Sequence, residues 1–202
     1  MSTDQYLKIL EDVGAILTGH FVLSNGIHSE KYVQCSRFTR YPDVTAKLCA
    51  GLIQKLNETM PNLEFDVIVS PAVGGIVLGY ELGRQLNKMA IYTERVDGKM
   101  TFRRTFEIPK NANRVLLVED VISSGKASMD TYNCIVEHGG TVVAEVALIN
   151  RHDKEFNPPF PVVNLVDISV KTYEPDQVPE WLAKLPIDRP GSGWMNNNKV
   201  AV

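Results

Sequence analysis

Cysteine is scarce in this chain and poorly placed for chemistry. There are three, Cys35, Cys49 and Cys134, odd in number and without a CxxC pair. This argues against a disulfide framework or a structural zinc site and predicts free thiols in a reducing compartment. An excess of one charge is also missing. Lys and Arg number 21 and Asp and Glu 24, a net charge of −3, so no global positive field draws the protein to nucleic acid. The opening MSTDQYLKIL has no basic leader and no long apolar run, so neither a signal peptide nor a membrane span is expected. These absences together predict a cytoplasmic protein that binds neither membrane nor nucleic acid. Two nucleotide signatures are absent as well. GxGxxG does not occur, and Gly125-Lys126 is followed by Ala127 with no glycine five residues earlier, so no Walker A loop forms there. The four histidines, His20, His28, His138 and His152, show no triad-like spacing and read as structural or surface residues. Met60, Met89 and Met129 read as packing.

What is present is a regular alternation. TDQYLKILEDVGAI has apolar residues at Tyr6, Leu7, Leu10, Val13 and Ile16 behind a Thr3 or Asp4 cap, and predicts a helix. FVLSNGIHSEKYVQC predicts two strands joined at Asn25–Gly26. YPDVTAKLCAGLIQKLNETM predicts a helix with Pro42 near its start. Strands are predicted at 66–70, 90–93, 115–118 and 142–149, with helices between them and DGKMTFRR as an exposed hairpin tip. PVVNLVDISV predicts a further strand, and PIDRPGSGWMNNNKV an irregular end. This is the pattern of an α/β fold, a mostly parallel central sheet flanked by helices. Ligands of such sheets bind beyond the carboxyl ends of the strands. The stretches 70–75 and 119–127 both begin at such ends, so they are expected to line one crevice.

The stretch EDVISSGKA at 119–127 carries the chemistry. Small residues before a helix let successive N–H groups turn inward as an anion nest, and the helix dipole adds to it. Glu119 and Asp120 stand beside that nest. Carboxylates do not bind phosphate but accept hydrogen bonds from sugar hydroxyls, or hold Mg²⁺ through water, so the pair beside the nest suits a ribose 5-phosphate. The bland alternative is a capped helix after a core strand with two solvated acids.

VLLVEDVISSGKA (115–127) resembles the phosphoribosyl-diphosphate (PRPP) motif of type I phosphoribosyltransferases. GHFVLSNGIHSEKYVQ (19–34), SPAVGGIVLG (70–79) and ERVDGKMTFRRTF (94–106) resemble the hood, diphosphate loop and mobile loop of the orotate phosphoribosyltransferase family. The resemblance runs from about residue 4 to RPGS at 189–192. It implies the type I fold with a small N-terminal hood at 1–40 over the base site. Residues 41–202 would then form the PRPP-binding core, with the C-terminal strand and tail completing the hood. The implied reaction is phosphoribosyl transfer from PRPP to orotate, in pyrimidine (UMP) biosynthesis. The implied PRPP-binding residues are Arg95, Lys99, Thr101, Glu119, Asp120, Val121, Ile122, Ser123, Ser124, Gly125, Lys126 and Ala127, with Arg103 a further candidate. Lys99 and Asp120 are implied as catalytic. Ser123 and Arg151 would bind orotate, and Tyr32 would stack beside it. The implied cofactor is Mg²⁺, held mainly by the PRPP diphosphate and ribose hydroxyls, with no direct protein ligand assigned. A homodimer sharing loop 94–104 across its interface is implied, as is a non-proline cis peptide near Ala72–Val73. Departures from the motif are Ala127 in place of a hydroxyl residue, and Gly74 and Thr101 where some relatives carry a lysine and a histidine. Three alternatives stand beside this reading: a phosphoribosyltransferase for a purine or uracil, a PRPP-sensing regulator of transcription or RNA, and a nucleotide-binding module without chemistry.

Overall fold

The computed structural model describes residues 1–23, 26–151 and 156–189. Six strands form the main sheet: β3 (Val67–Pro71), β4 (Met89–Val96), β5 (Lys99–Phe102), β6 (Arg114–Ile122), β7 (Thr141–Asn150) and β8 (Val162–Asp167). Their order is β5-β4-β3-β6-β7-β8. All neighbours are parallel except β4 and β5, the predicted hairpin. The order reverses at β3, which lies between β4 and β6. This is the topological switch point at which α/β sheets bind ligands.

Period-two alternation assigns each strand residue to a face. Ile68, Leu116 and Val118 join the larger core with Leu48 and Leu52 of α3 (Pro42–Thr59) and Leu78 and Leu82 of α4 (Gly74–Leu86). Val67, Val69, Val115 and Leu117 face the other way, toward Ile135 of α5 (Lys126–Glu137). Pro42 sits at the first turn of α3 as expected. Helix α1 (Thr3–Asp12) buries Tyr6 and Leu10 in the larger core. The same core also takes Ala15, Val33 and Cys35 of the first 40 residues. The cap of α1 is Ser2, one residue before the expected position, in a reciprocal box with Gln5. The helix also ends earlier than the apolar spacing predicted. Gly14 takes a left-handed φ of 66°, and Ile16 begins β1 instead.

A second sheet stands apart from the first. Strands β1 (Ile16–Val22) and β2 (His28–Val33) pair antiparallel, as the hairpin pattern predicted; Ser24 and Asn25 of its turn lie outside the described residues. Strand β9 (Thr172–Tyr173) adds to β2, and β10 (Ile187–Asp188) pairs parallel with β1. The C-terminal segment, expected to be irregular, is therefore a strand over Ile187–Asp188, and the tail from residue 190 lies outside the described residues. Within this sheet His20 is buried and His28 half-buried, hydrogen-bonded ring to ring at 2.6 Å. His138 closes on the Cys134 carbonyl, and His152 lies outside the described residues.

Candidate active site

Strand β6 runs four residues further than the 115–118 stretch predicted, through Ile122. Glu119 and Asp120 therefore lie within a strand and leave it on opposite faces. Asp120 shares the face of Leu116 and Val118, and its carboxylate abuts Gly74; a Cβ on Gly74 would overlap it. The loop around Gly74 is drawn in by the Ala72 N–H, which donates to the Thr93 carbonyl at 2.7 Å, and the Ala72–Val73 peptide is cis. With the backbone that close to Asp120, a lysine in place of Gly74 would have to displace the carboxylate. Here the loop offers backbone only.

Glu119 turns toward α5 and is buried, 6% exposed. Its Oε1 accepts from the Asp120 N–H at 3.1 Å, while Oε2 has no partner among the described residues. Burial, and after it the adjacent Asp120, hold its pKa well above the carboxylate range.

The loop expected to form the nest turns at Gly125, immediately before α5. Gly125 has φ 71° just before α5, a conformation for which glycine is preferred. A Cβ there would also overlap the ring of Phe156, which lies against the loop. Ser123 is half-buried, Ser124 and Lys126 are exposed, and Ala127 is half-buried. Val121 is partly buried beside them, and Ile122 is buried in the strand end.

Three segments meet beside Asp120. Arg151 follows β7, is 5% exposed, and its N–H donates to the Ile122 carbonyl at 2.9 Å. Tyr32 of β2 feels both groups: burial, Cys35 and Asp120 raise its pKa, and Arg151 lowers it. Cys35 was read from the sequence only as a free thiol. It lies buried against Asp120, and burial, then the charge of Asp120 and a hydrogen bond to it, push the thiol well up. Neither Cys35 nor Phe156 carries a local sequence signal. Each is recognised only by its contact with a motif far away in the chain.

The hairpin is ordered by its own ion pairs. Arg95 donates to Asp130 and to the Gly98 carbonyl, each at 2.8 Å, and Lys126 also reaches Asp130 at 2.9 Å. Glu94 binds Arg104 at 2.6 Å and Arg103 at 3.2 Å, and the Arg104 hydrogen bond leads in holding its pKa low. Thr101 is half-buried opposite Glu94. Lys99 is exposed and has no ion-pair partner among the described residues. The structure therefore brings Asp120, Glu119, the 123–127 loop, Tyr32 and Arg151 to one edge of the sheet. It ties Arg95 and Arg103 to acids of their own chain and leaves Lys99 extended beyond the crevice.

Comparison with known proteins agrees with this geometry. A phosphoribosyl transferase domain profile matches residues 43–184. The orotate phosphoribosyltransferase of Erythrobacter litoralis is 41% identical over 192 residues, 95% of this chain and 98% of that one. That of Caldicellulosiruptor bescii is 37% identical with the same coverage. Among solved structures, orotate phosphoribosyltransferase from Aeropyrum pernix superposes with a TM-score of 0.63 at 19% identity, covering 80% of this chain and 93% of that one. Adenine phosphoribosyltransferase from Saccharomyces cerevisiae gives 0.59 at 18%, covering 81% and 99%. The fold is thus common to enzymes for different bases, and the sequence relatives narrow it.

Proposed function

This chain belongs to the orotate phosphoribosyltransferase family, and from that premise we propose that the crevice beside Asp120 carries the family reaction. PRPP and orotate give orotidine 5′-monophosphate and diphosphate, a step of pyrimidine biosynthesis. The observation that carries the reading is the meeting of Asp120, Tyr32 and Arg151 at the carboxyl edge of the sheet, beside the Gly125 nest.

Each part of PRPP has a chemically matched place. The N–H groups of Ser123–Ala127, the two serine hydroxyls and the N-terminus of α5 receive the 5-phosphate. Asp120 and Glu119 accept from the ribose hydroxyls. The loop from Ala72 to Gly75 offers close backbone to the diphosphate. Arg151 takes the orotate carboxylate, for which a planar guanidinium is suited, and Ser123 lies within the same edge. Tyr32 stacks on the base beneath the second sheet, which acts as the hood. As diphosphate leaves, the anomeric carbon gains oxocarbenium character, and orotate nitrogen attacks from the opposite face. The protein acts by positioning and by offsetting leaving-group charge.

Among the described residues no three His, Cys, Asp or Glu side chains converge to ligate an ion. The donors we assign to Mg²⁺ are the substrate's own diphosphate and ribose-hydroxyl oxygens. When bound, Mg²⁺ supplies charge against the leaving diphosphate. Lys99 supplies more from the hairpin of a second subunit. A dimer is supported by an exposed stripe on α4 and the loop before it: Val73, Val77 and Tyr80 are 79%, 43% and 69% exposed at helical spacing. Three buried free thiols accord with a cytoplasmic location.

Loss of orotate absorbance on adding PRPP and Mg²⁺ tests the reading, with uracil and hypoxanthine as competing bases. Turnover of orotate alone is expected. Turnover of hypoxanthine or uracil in its place, or none at all, would refute it.

A further inference from the structure

The sheet holds a second buried carboxyl that the reaction above does not use. Glu145 lies in the middle of β7 among aliphatic residues and is fully buried. Neither of its carboxyl oxygens has a hydrogen-bond partner of good geometry among the described residues. A carboxyl in such a place costs stability that an aliphatic side chain would not. The register identifies its neighbour. Leu117 pairs with Glu145 and Glu119 with Ala147. Glu119 and Glu145 therefore project from the same face, one strand and two residues apart. Such diagonal neighbours lie about 7–8 Å apart at the backbone, within reach of long side chains.

The elements packed on this face bring little to offset charge. The buried face of α5 presents Ser128, Thr131, Cys134 and Ile135, with the Ser128 hydroxyl beside Glu145. Strand β8 adds Asn164, in register with Ala147. Strand β6 adds Glu119 itself, with Asp120 adjoining it.

We propose that Glu145 is a positioning residue whose charge decides whether Glu119 meets the ribose as a carboxylate or as a carboxylic acid. This rests on the assignment of Glu119 to the ribose hydroxyls. A carboxylate accepts from two neighbouring hydroxyls, whereas the neutral acid keeps a proton that one of its hydrogen bonds must donate. Burial raises Glu145 to about 7, against the pull of the Ser128 hydroxyl. Burial raises Glu119 well above its ordinary value, and after it the charge and hydrogen bond of Asp120 and the charge of Glu145. The charge of Glu145, on the same face one strand away, opposes the ionisation of Glu119. Removing the Glu145 charge therefore lets Glu119 ionise at a lower pH.

The test follows Glu119 directly. Protein labelled with ¹³C at glutamate carboxyls is titrated by NMR, and the Glu119 signal is identified by its loss in Glu119→Gln. In Glu145→Gln the Glu119 midpoint should fall by roughly one pH unit, the scale of a nearby like charge in a partly shielded interior. Glu145→Leu, which suits the aliphatic surroundings and guards against misfolding of the first variant, should give the same shift. The acid limb of kcat/KM for PRPP should move with it, while that for orotate stays. An unmoved Glu119 midpoint in the folded variants overturns the proposal. A midpoint that moves without the PRPP profile upholds the coupling of the two carboxyls and instead refutes the ribose role of Glu119.

Discussion

Lys99 offers the sharpest test of how the site is assembled. The registers give its distance from its own crevice. Ile91, Val69 and Leu117 are level across β4, β3 and β6. Asp120 is three residues beyond that level. Lys99 pairs with Val96, five residues beyond it. The axial offset is two residues, about 7 Å, and β5 lies three strand spacings from β6, about 14 Å. The two backbones are then roughly 16 Å apart. A lysine stem spans about 6 Å, which leaves roughly 10 Å uncovered, too far for direct charge stabilisation. In a two-fold dimer the same lysine can serve the partner's site. Lys99→Ala and Asp120→Asn, each nearly inactive alone, are unfolded, mixed in equal amounts and refolded. Random pairing makes half of the dimers mixed. Each mixed dimer holds one doubly defective site and one site with intact Asp120 and an intact donated Lys99. Specific activity should recover to about a quarter of wild type, read by orotate absorbance. If the lysine served its own chain, every site would retain a defect and mixing would restore nothing. That result would refute the shared site and leave the reaction assignment untouched.

Other outcomes follow from single features of the site. Arg151→Ala should raise the KM for orotate by roughly 30-fold or more, the low end of the 2–5 kcal/mol for a lost buried charge pair, and leave that for PRPP nearly unchanged; equal effects on both substrates would place Arg151 elsewhere in the mechanism. Gly125→Ala forces a side chain to φ 71° and into the Phe156 ring. It should cost about 1–2 kcal/mol in urea unfolding and raise the KM for PRPP more than that for orotate; an unchanged KM for PRPP would separate the nest from the 5-phosphate. Chelation of Mg²⁺ should abolish turnover and its return restore it, and full activity in excess chelator would end the metal's role.

How much of this was legible in the sequence depended on whether the deciding contact was local. The βα units were readable because aliphatic runs, glycines and helix caps act within a few residues. The turn into α5 was readable for the same reason, since Gly125 makes it with its own backbone. The fate of the hairpin cations was not. Arg95 is claimed by Asp130, 35 residues away, and Arg103 by Glu94 through a strand pairing, so a basic stretch that reads as one unit divides into tethered arginines and a lysine with no ion pair among the described residues. Cys35 meets Asp120 across 85 positions, and no spacing rule connects them. The paired acids fall between these cases. Once β6 is seen to continue past Val118, the two-residue period sends Glu119 and Asp120 to opposite faces. Asp120 then meets Gly74 at the start of α4 and Cys35 beyond β2, while Glu119 goes under α5 toward Glu145. The two carboxyls thus differ in burial for a reason contained in strand geometry. The division of labour proposed for them at the ribose, a half-buried acceptor beside a fully buried one, comes from the length of one strand.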